Sequence, residues 1–242
     1  MLKGKKVAIF DMDGTLIDSV GVWNDIDKKL IARLGAEQSG DEDVQFFRDA
    51  LLRENRSKQN PYLEYCRYLG QKYGSALSAE EIQRLRYDIA AEQLENTVDY
   101  KPDAERLIKK LKTLGLTLAI ATTTKRDNMK VYLTQNQSII RKAPLDEYFS
   151  LILTKEDANE LKPSPEIYLR VINELGVTPE DCLVFEDSLI GVDAACAAGI
   201  EVAVMHDKYS DRERDEINLK ASYTFDSFAE LINAIDKELC TA

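Results

Sequence analysis

Separated segments of the sequence carry side chains that can bind an anion, bind a cation or transfer a proton. These side chains are Asp11, Asp13, Thr122, Lys162, Glu186 and Asp187. The sequence has a single histidine, His206, so acid–base catalysis would depend on carboxylates. An ammonium group such as that of Lys162 would supply the positive charge that a small anionic substrate needs in an acidic chain.

Short apolar runs precede most of these side chains and predict the strands that position them. The runs cover residues 5–10, 116–121, 151–154, 182–185 and 200–205. They show no strict alternation, which is typical of strands that are covered on both faces. Helical patterns over 103–114 and 166–175 separate the runs, and alternation of strands with helices predicts an α/β fold with a doubly wound parallel sheet.

The polar side chains follow the predicted strands, at the edge where an open parallel sheet binds ligands. Each segment alone has a simpler interpretation. Asp11-Met12-Asp13-Gly14 suits a turn, Thr122 suits the end of a strand or a helix cap, and Glu186-Asp187-Ser188 suits a helix cap. Lys162 alone suits a solvated surface charge. The shared position at strand ends favours one common site.

A long helical stretch interrupts the alternation after the first strand. Between residues 19 and 96 there is no strand pattern, and Ser78-Ala79-Glu80-Glu81 matches a capping box at a helix start. We therefore predict a Rossmann-like catalytic core formed by residues 1–18 and 99–242, and an inserted all-helical cap domain at 19–98. Trp23 has a helical spacing that favours core packing over stacking on a sugar ring.

The predicted cap includes a locally basic stretch at residues 48–58. It contains Arg48, Arg53, Arg56 and Lys58. These side chains would either close over an anionic substrate or form a solvated helix face.

The four motif segments together resemble the haloacid dehalogenase superfamily of aspartate-dependent phosphotransferases. The matching segments are FDMDGTLIDS at 10–19, AIATTT at 119–124, LKPSPEIY at 161–168 and FEDSLIGVDAACAAG at 185–199. The position of the helical insert, between the first and second motifs, resembles the cap of the subgroup that includes beta-phosphoglucomutase and phosphoglycolate phosphatase.

This resemblance implies a reaction through a covalent aspartyl-phosphate, with Asp11 as the nucleophile. Asp13 would protonate the leaving alkoxide and then, as a base, activate water. The Thr122 hydroxyl and the Lys162 ammonium group would hold the nonbridging phosphate oxygens, where charge builds up during transfer.

The resemblance also implies Mg2+ as the cofactor, because this hard ion prefers oxygen ligands and phosphate oxygens. The side chains of Asp11 and Asp187 and the backbone carbonyl of Asp13 are the implied ligands. Glu186 is implied as a direct or a water-mediated ligand.

Within the superfamily, we expect a phosphatase that acts on small phosphorylated metabolites, above all sugar phosphates. The alternative is a mutase of the beta-phosphoglucomutase type. Such mutases typically carry a histidine in the region that corresponds to residues 20–23, and this chain has none there. A response-regulator receiver uses similar groups, but an insert of about 80 residues does not suit a receiver of about 120. A noncatalytic scaffold is disfavoured because every expected catalytic residue is present.

Composition limits the other classes of function. The chain has 242 residues, 44% of them hydrophobic, and a formal net charge of -11, which suits a folded protein without a nucleic-acid partner. Its four cysteines form no CxxC pair, so a zinc site is not expected. There is no apolar run of about 18 residues and no signal-peptide pattern, so we expect a cytoplasmic protein without a membrane partner, and a monomer by default.

Overall fold

The computed structural model describes residues 1–35, 41–55 and 58–240. The chain divides into two compact units. One unit consists of Met1–Ser19 and Val98–Ala242, and the other consists of Val20–Thr97. The first unit contains the sheet, and the second is helical.

The sheet of the first unit is parallel throughout and has the strand order β3-β2-β1-β4-β5-β6. Its strands are β1 Val7–Phe10, β2 Thr117–Ala121, β3 Leu151–Leu153, β4 Cys182–Glu186, β5 Glu201–Met205 and β6 Tyr223–Phe225. Every residue of β1 and of β4 is buried, as the unbroken apolar runs require of strands covered on both faces. The predicted α/β fold with a parallel sheet is confirmed.

Helices connect the strands of this unit. They are α5 Ala104–Thr113, α6 Arg126–Thr134, α7 Gln137–Lys142, α8 Leu145–Tyr148, α9 Glu166–Leu175, α10 Leu189–Ala197, α11 Arg214–Lys220 and α12 Phe228–Cys240, numbered after the four helices of the other unit. Helix α9 packs against β2 and β3, and α10 packs against β4 and β5. The ends of α9 agree with the helix predicted over 166–175.

The helical unit contains α1 Val20–Arg33, α2 Asp41–Glu54, α3 Pro61–Lys72 and α4 Ala79–Asn96. Ser78 caps α4: its hydroxyl accepts from the backbone N–H of Glu81, and the Glu81 carboxylate accepts from the N–H of Ser78. The predicted capping box is therefore confirmed, and Ile82 directly behind it is buried in the core of the unit.

A buried ionic cluster links three helices of this unit. Asp27 of α1 is completely buried and accepts 2.6 and 3.2 Å hydrogen bonds from Arg86 of α4, and one of 2.9 Å from Arg48 of α2. The Arg86 guanidinium also lies 4.9 Å from the ring centroid of Trp23 and 5.1 Å from that of Tyr62. Such cation–π contacts add to the stability of a desolvated arginine.

This cluster corrects two sequence expectations. Arg48 is neither a solvated charge nor an open anion ligand, because it is buried in an ion pair with Asp27. Trp23 is half-buried and lies against Arg86 instead of being enclosed in the apolar core. The side chain of Arg53, and Arg56 as a whole, lie outside the described residues. In the described part of the chain, no helix combines the length and the apolar character that a membrane span needs.

Candidate active site

The carboxyl ends of three adjacent strands form the base of the site. β1 lies between β2 and β4, so the residues that follow these strands are neighbours at one edge. The backbone N–H of Asp11 donates to Phe185 O at 3.0 Å, and that of Thr122 donates to Leu153 O at 3.0 Å. Asp11, Thr122 and Asp187 therefore lie directly after the ends of β1, β2 and β4, as the predicted strands require.

Lys162 reaches this edge from the loop before α9, and its ammonium group is buried. Nζ donates to Asp11 Oδ1 at 2.6 Å, to Glu186 Oε1 at 2.7 Å and to Ala121 O at 2.9 Å. Burial alone would lower the pKa of Lys162, but the Asp11 and Glu186 carboxylates outweigh it and hold the pKa well above its ordinary value. Lys162 is therefore a fixed positive charge and not a solvated surface group.

The Glu186 carboxylate accepts more hydrogen bonds than its position in the sequence predicted. Oε1 accepts from Lys162 and, at 2.7 Å, from the Tyr168 hydroxyl. Oε2 accepts from the backbone N–H of Asp187 at 3.1 Å and from the Ser188 hydroxyl at 3.2 Å. Each carboxylate oxygen thus has at least two donors, which suits Glu186 better to holding Lys162 than to binding a metal directly.

Ser188 contacts Glu186 in the site and also caps the following helix. Its hydroxyl accepts from the backbone N–H of Gly191 at 3.3 Å and caps α10, so the helix-cap interpretation of Glu186-Asp187-Ser188 is also correct. The carboxylate of Glu186 packs directly on Gly191, where a Cβ atom would lie only 1.9 Å from Oε1. Sequence reasoning missed this role of Gly191, although the glycine belongs to the quoted FEDSLIG segment.

Two hydroxyl groups hold the carboxylate of Asp13. Ser19 donates to Oδ1, and Thr124 donates to Oδ2. The Thr122 hydroxyl donates to Thr124 Oγ1 at 3.1 Å and accepts from the Thr124 N–H at 3.1 Å. A chain of hydroxyls therefore connects Thr122 to Asp13. Ser19 and Thr124 were missed, although each lies in a motif segment that the sequence singled out.

Asp11, Glu186 and Asp187 form a buried group whose carboxylate oxygens lie within 4.8 Å of one another. Burial raises the pKa of Asp11 to about 7 even though Lys162 opposes the shift, and burial followed by the Glu186 and Asp11 charges raises the pKa of Asp187 well above its ordinary value. Thr15 donates to Asp187 Oδ1 at 2.7 Å and fixes this carboxylate.

The charge at this edge fits a divalent cation. Lys162 is paired with Asp11 and Glu186, and Asp187 is a third carboxylate on which the charge of Lys101 acts. The three ionised carboxylates therefore still leave an excess of negative charge. An all-oxygen donor set is the kind that Mg2+ prefers. The residues present can therefore hold a metal ion. Asp11 and Asp187 would be its direct side-chain ligands, because the Glu186 oxygens already accept from protein donors.

The arrangement brings together all six side chains that the sequence singled out. A carboxylate beside a fixed ammonium group, at an edge that can hold a metal ion, can attack an electrophile that carries negative charge. The second carboxylate, two residues away, can transfer a proton. Both steps are needed to move a phosphoryl group from an ester to water.

Comparison with known proteins is consistent with this chemistry. A family model described as "Haloacid dehalogenase-like hydrolase" matches residues 8–205. Protein CbbY of Rhodobacter capsulatus is 32% identical over 210 residues, which cover 85% of this chain and 87% of that protein. A bifunctional riboflavin kinase/FMN phosphatase of Arabidopsis thaliana is 30% identical over 194 residues, which cover 80% of this chain but only 46% of that longer protein.

A solved structure with a sugar bisphosphate is also similar. It is the crystal structure of a CbbY point variant from Rhodobacter sphaeroides in complex with xylulose-(1,5)bisphosphate. The TM-score is 0.69 with 27% sequence identity, and the alignment covers 94% of this chain and 96% of the other.

Proposed function

Because the chain belongs to the haloacid dehalogenase-like hydrolases and is a phosphoric monoester hydrolase, we propose that it hydrolyses small phosphorylated sugars through a phosphorylated Asp11, with Mg2+ as the cofactor. The observation that supports this proposal best is the buried ion pair between Lys162 Nζ and Asp11 Oδ1, 2.6 Å long, at the edge that also carries Asp187. A fixed cation beside a carboxylate lets that carboxylate approach a phosphate dianion.

The side chains divide the reaction between them. Asp11 attacks phosphorus, the bond to the sugar oxygen breaks, and Asp13 gives that oxygen a proton. Lys162 and Thr122 hold the nonbridging oxygens during this step. Asp13 then takes a proton from water, whose oxygen displaces the Asp11 carboxylate from phosphorus and releases inorganic phosphate.

Bound Mg2+ would supply charge neutralisation between the phosphate and the carboxylates of Asp11 and Asp187. The hydroxyls of Ser19 and Thr124 keep Asp13 oriented. Asp13 must release one of these hydroxyls, or use a second lone pair, when it meets the leaving oxygen or the water.

The sugar-phosphate class is supported by the CbbY structure that contains xylulose-(1,5)bisphosphate. A panel of phosphorylated sugars, polyols and nucleotides, ranked by kcat/KM, would identify the class. We expect sugar phosphates to rank first. A nucleotide or glycolate phosphate at the top of the ranking would replace the proposed substrate class and leave the reaction type intact.

The nucleophile is tested with Asp11→Asn and p-nitrophenyl phosphate. We expect this variant to fold with an unchanged circular dichroism spectrum and to lose turnover by a factor of about 10⁴ or more, since the nucleophile is absent. The matched control is Asp18→Asn, which makes the same chemical change at an exposed carboxylate of the same segment. If Asp11→Asn retained Mg2+-dependent hydrolysis, this result would contradict the assignment of Asp11 as the nucleophile.

The cofactor is tested by chelation. Wild-type activity should disappear with a chelator and return with Mg2+. The melting temperature should rise on addition of Mg2+, because a ligand that binds only the folded state stabilises it. Full activity after exhaustive chelation would contradict the metal part of the proposal.

A further inference from the structure

The Tyr132 hydroxyl is a buried polar group that lacks a hydrogen-bond partner among the described residues. The side chain lies on α6 and is completely buried. Buried hydroxyl groups in proteins are nearly always hydrogen-bonded, to protein or to ordered water, because an unpaired one costs free energy. The Tyr132 hydroxyl is therefore available to a small molecule that is not part of the chain.

Tyr132 lies on the helix that follows Thr124, a hydrogen-bond partner of Asp13. Helix α6 begins two residues after Thr124, whose hydroxyl donates to Asp13. Side chains on a helix lean towards its N-terminus, which for Tyr132 is the end of α6 next to Thr124. Burial raises the pKa of Tyr132 well above its ordinary value, and the Asp13 charge raises it further, as expected of a nearby carboxylate.

Asp13 can accept more hydrogen bonds than Ser19 and Thr124 supply. Each of these hydroxyls donates to a different carboxylate oxygen, and each oxygen has a second lone pair. A buried phenol donor without a protein partner and a carboxylate that can accept a further hydrogen bond are the kind of pair that an ordered water bridges.

We propose that the Tyr132 hydroxyl and the Asp13 carboxylate hold one water molecule between them, and that this water attacks phosphorylated Asp11. The inference rests on the proposed function. The hydroxyl of Tyr132 donates to the water oxygen, and one water proton goes to Asp13. The other lone pair of the water forms the new bond to phosphorus, the bond from phosphorus to Asp11 breaks, and Asp11 leaves as a carboxylate with inorganic phosphate.

Tyr132 is thus a positioning residue for the second half of the reaction. It has no part in the first half, in which Asp11 takes the phosphoryl group and no water reacts. It also favours water over a second sugar hydroxyl as the acceptor, so it bears on the choice between phosphatase and mutase chemistry.

The test separates the two halves in Tyr132→Phe by rapid quench with p-nitrophenyl phosphate and Mg2+. We expect p-nitrophenol to form in a burst at the wild-type rate, with an amplitude close to one per site. Phosphate release should then be about tenfold slower, the size expected for one hydrogen bond to a reacting group. Phosphorylated enzyme should accumulate and be visible by intact-protein mass spectrometry.

The matched control is Tyr100→Phe. Tyr100 is also a buried tyrosine of the sheet unit, but its hydroxyl donates to Ala143 O at 2.6 Å. This variant should lose stability without a change in the ratio of the two steps. Tyr132→Phe should keep its melting temperature because it breaks no hydrogen bond to the protein, and Tyr132→Leu is a second substitution that must give the same kinetic split.

Three results would overturn the inference. They are equal slowing of both steps, an increase in KM with kcat unchanged, and unaltered phosphate release in Tyr132→Phe. Failure of the proposed function has a different signature, because wild-type protein would then form no phosphorylated Asp11 at all.

Discussion

The Glu186 carboxylate lies directly on the backbone of Gly191, so a side chain at position 191 must displace it. In Gly191→Ala, the new Cβ would lie 1.9 Å from Oε1, 2.0 Å from Cδ and 2.2 Å from Oε2 of Glu186. All three separations are far below van der Waals contact. The carboxylate cannot swing aside freely, since it accepts 2.7 Å hydrogen bonds from both Lys162 and Tyr168.

The expected loss of stability follows from those two hydrogen bonds. Hydrogen bonds to a charged group contribute about 1.5 to 3 kcal/mol each, so losing both costs about 3 to 6 kcal/mol. Replacing a helical glycine by alanine raises the free energy of unfolding by about 1 kcal/mol. We therefore expect the free energy of unfolding of Gly191→Ala to fall by about 2 to 5 kcal/mol in urea titrations.

Activity should fall as well, because the Lys162 ammonium group is shared between Glu186 and Asp11. A displacement of about 1 Å at a reacting group can cost about 100-fold, and we expect a loss of that size in kcat/KM for p-nitrophenyl phosphate. The matched control is Gly70→Ala, where the new Cβ would lie 2.9 Å from the tip of Ile82, Cδ1, and at an ordinary 3.8 Å from Leu77 O.

Comparison of the two glycine variants separates the clash with the Glu186 carboxylate from the general effect of replacing a helical glycine by alanine. Gly70→Ala should change stability by less than about 1 kcal/mol and leave kcat/KM unchanged, since the helix gain of about 1 kcal/mol offsets most of the cost of shifting the Ile82 tip. A Gly191→Ala protein with wild-type kcat/KM, and a free energy of unfolding within about 0.5 kcal/mol of wild type, would refute the reasoning about Glu186.

Two further predictions concern groups that the sequence did not reveal. Asp27→Asn leaves the buried Arg86 guanidinium without its counter-charge and should lower the free energy of unfolding by about 3 to 5 kcal/mol in urea, whereas Asp25→Asn at an exposed site should change it little; equal effects would contradict the ionic cluster. Thr124→Val removes a donor to Asp13 and should lower kcat about tenfold with KM within about twofold, and an unchanged kcat would count against that contact.

The sequence predicted the site because its strands are short, apolar and ended by polar residues. In a parallel sheet this alone puts Asp11, Thr122 and Asp187 at one edge, whatever the details of packing. Lys162 was harder to place, since it lies on a loop and nothing local requires its side chain to turn inward. The resemblance to the family motifs supplied that step.

Contacts that depend on side-chain rotamers and close packing could not be predicted from the sequence. Ser19 and Thr124 both reach Asp13, but neither spacing nor polarity distinguishes them from the other hydroxyls in the same motifs. Asp27 and Arg86 are separated by 59 residues in sequence, and their pairing arises only when α1 packs on α4. Arg48 was misread for the same reason, because a charge in a basic stretch looks solvated until its partner is known.

The central position of β1 has a consequence for how the protein is made. Its neighbours in the sheet begin at Thr117 and Cys182, so β1 leaves the ribosome long before either partner exists. At about 5 to 20 residues per second, the wait for β4 lasts on the order of ten seconds or more. Val20–Thr97 is continuous in sequence and can pack during that interval. The proposed nucleophile, Asp11, therefore follows a strand that must wait for its partner β4 before the sheet can form around it.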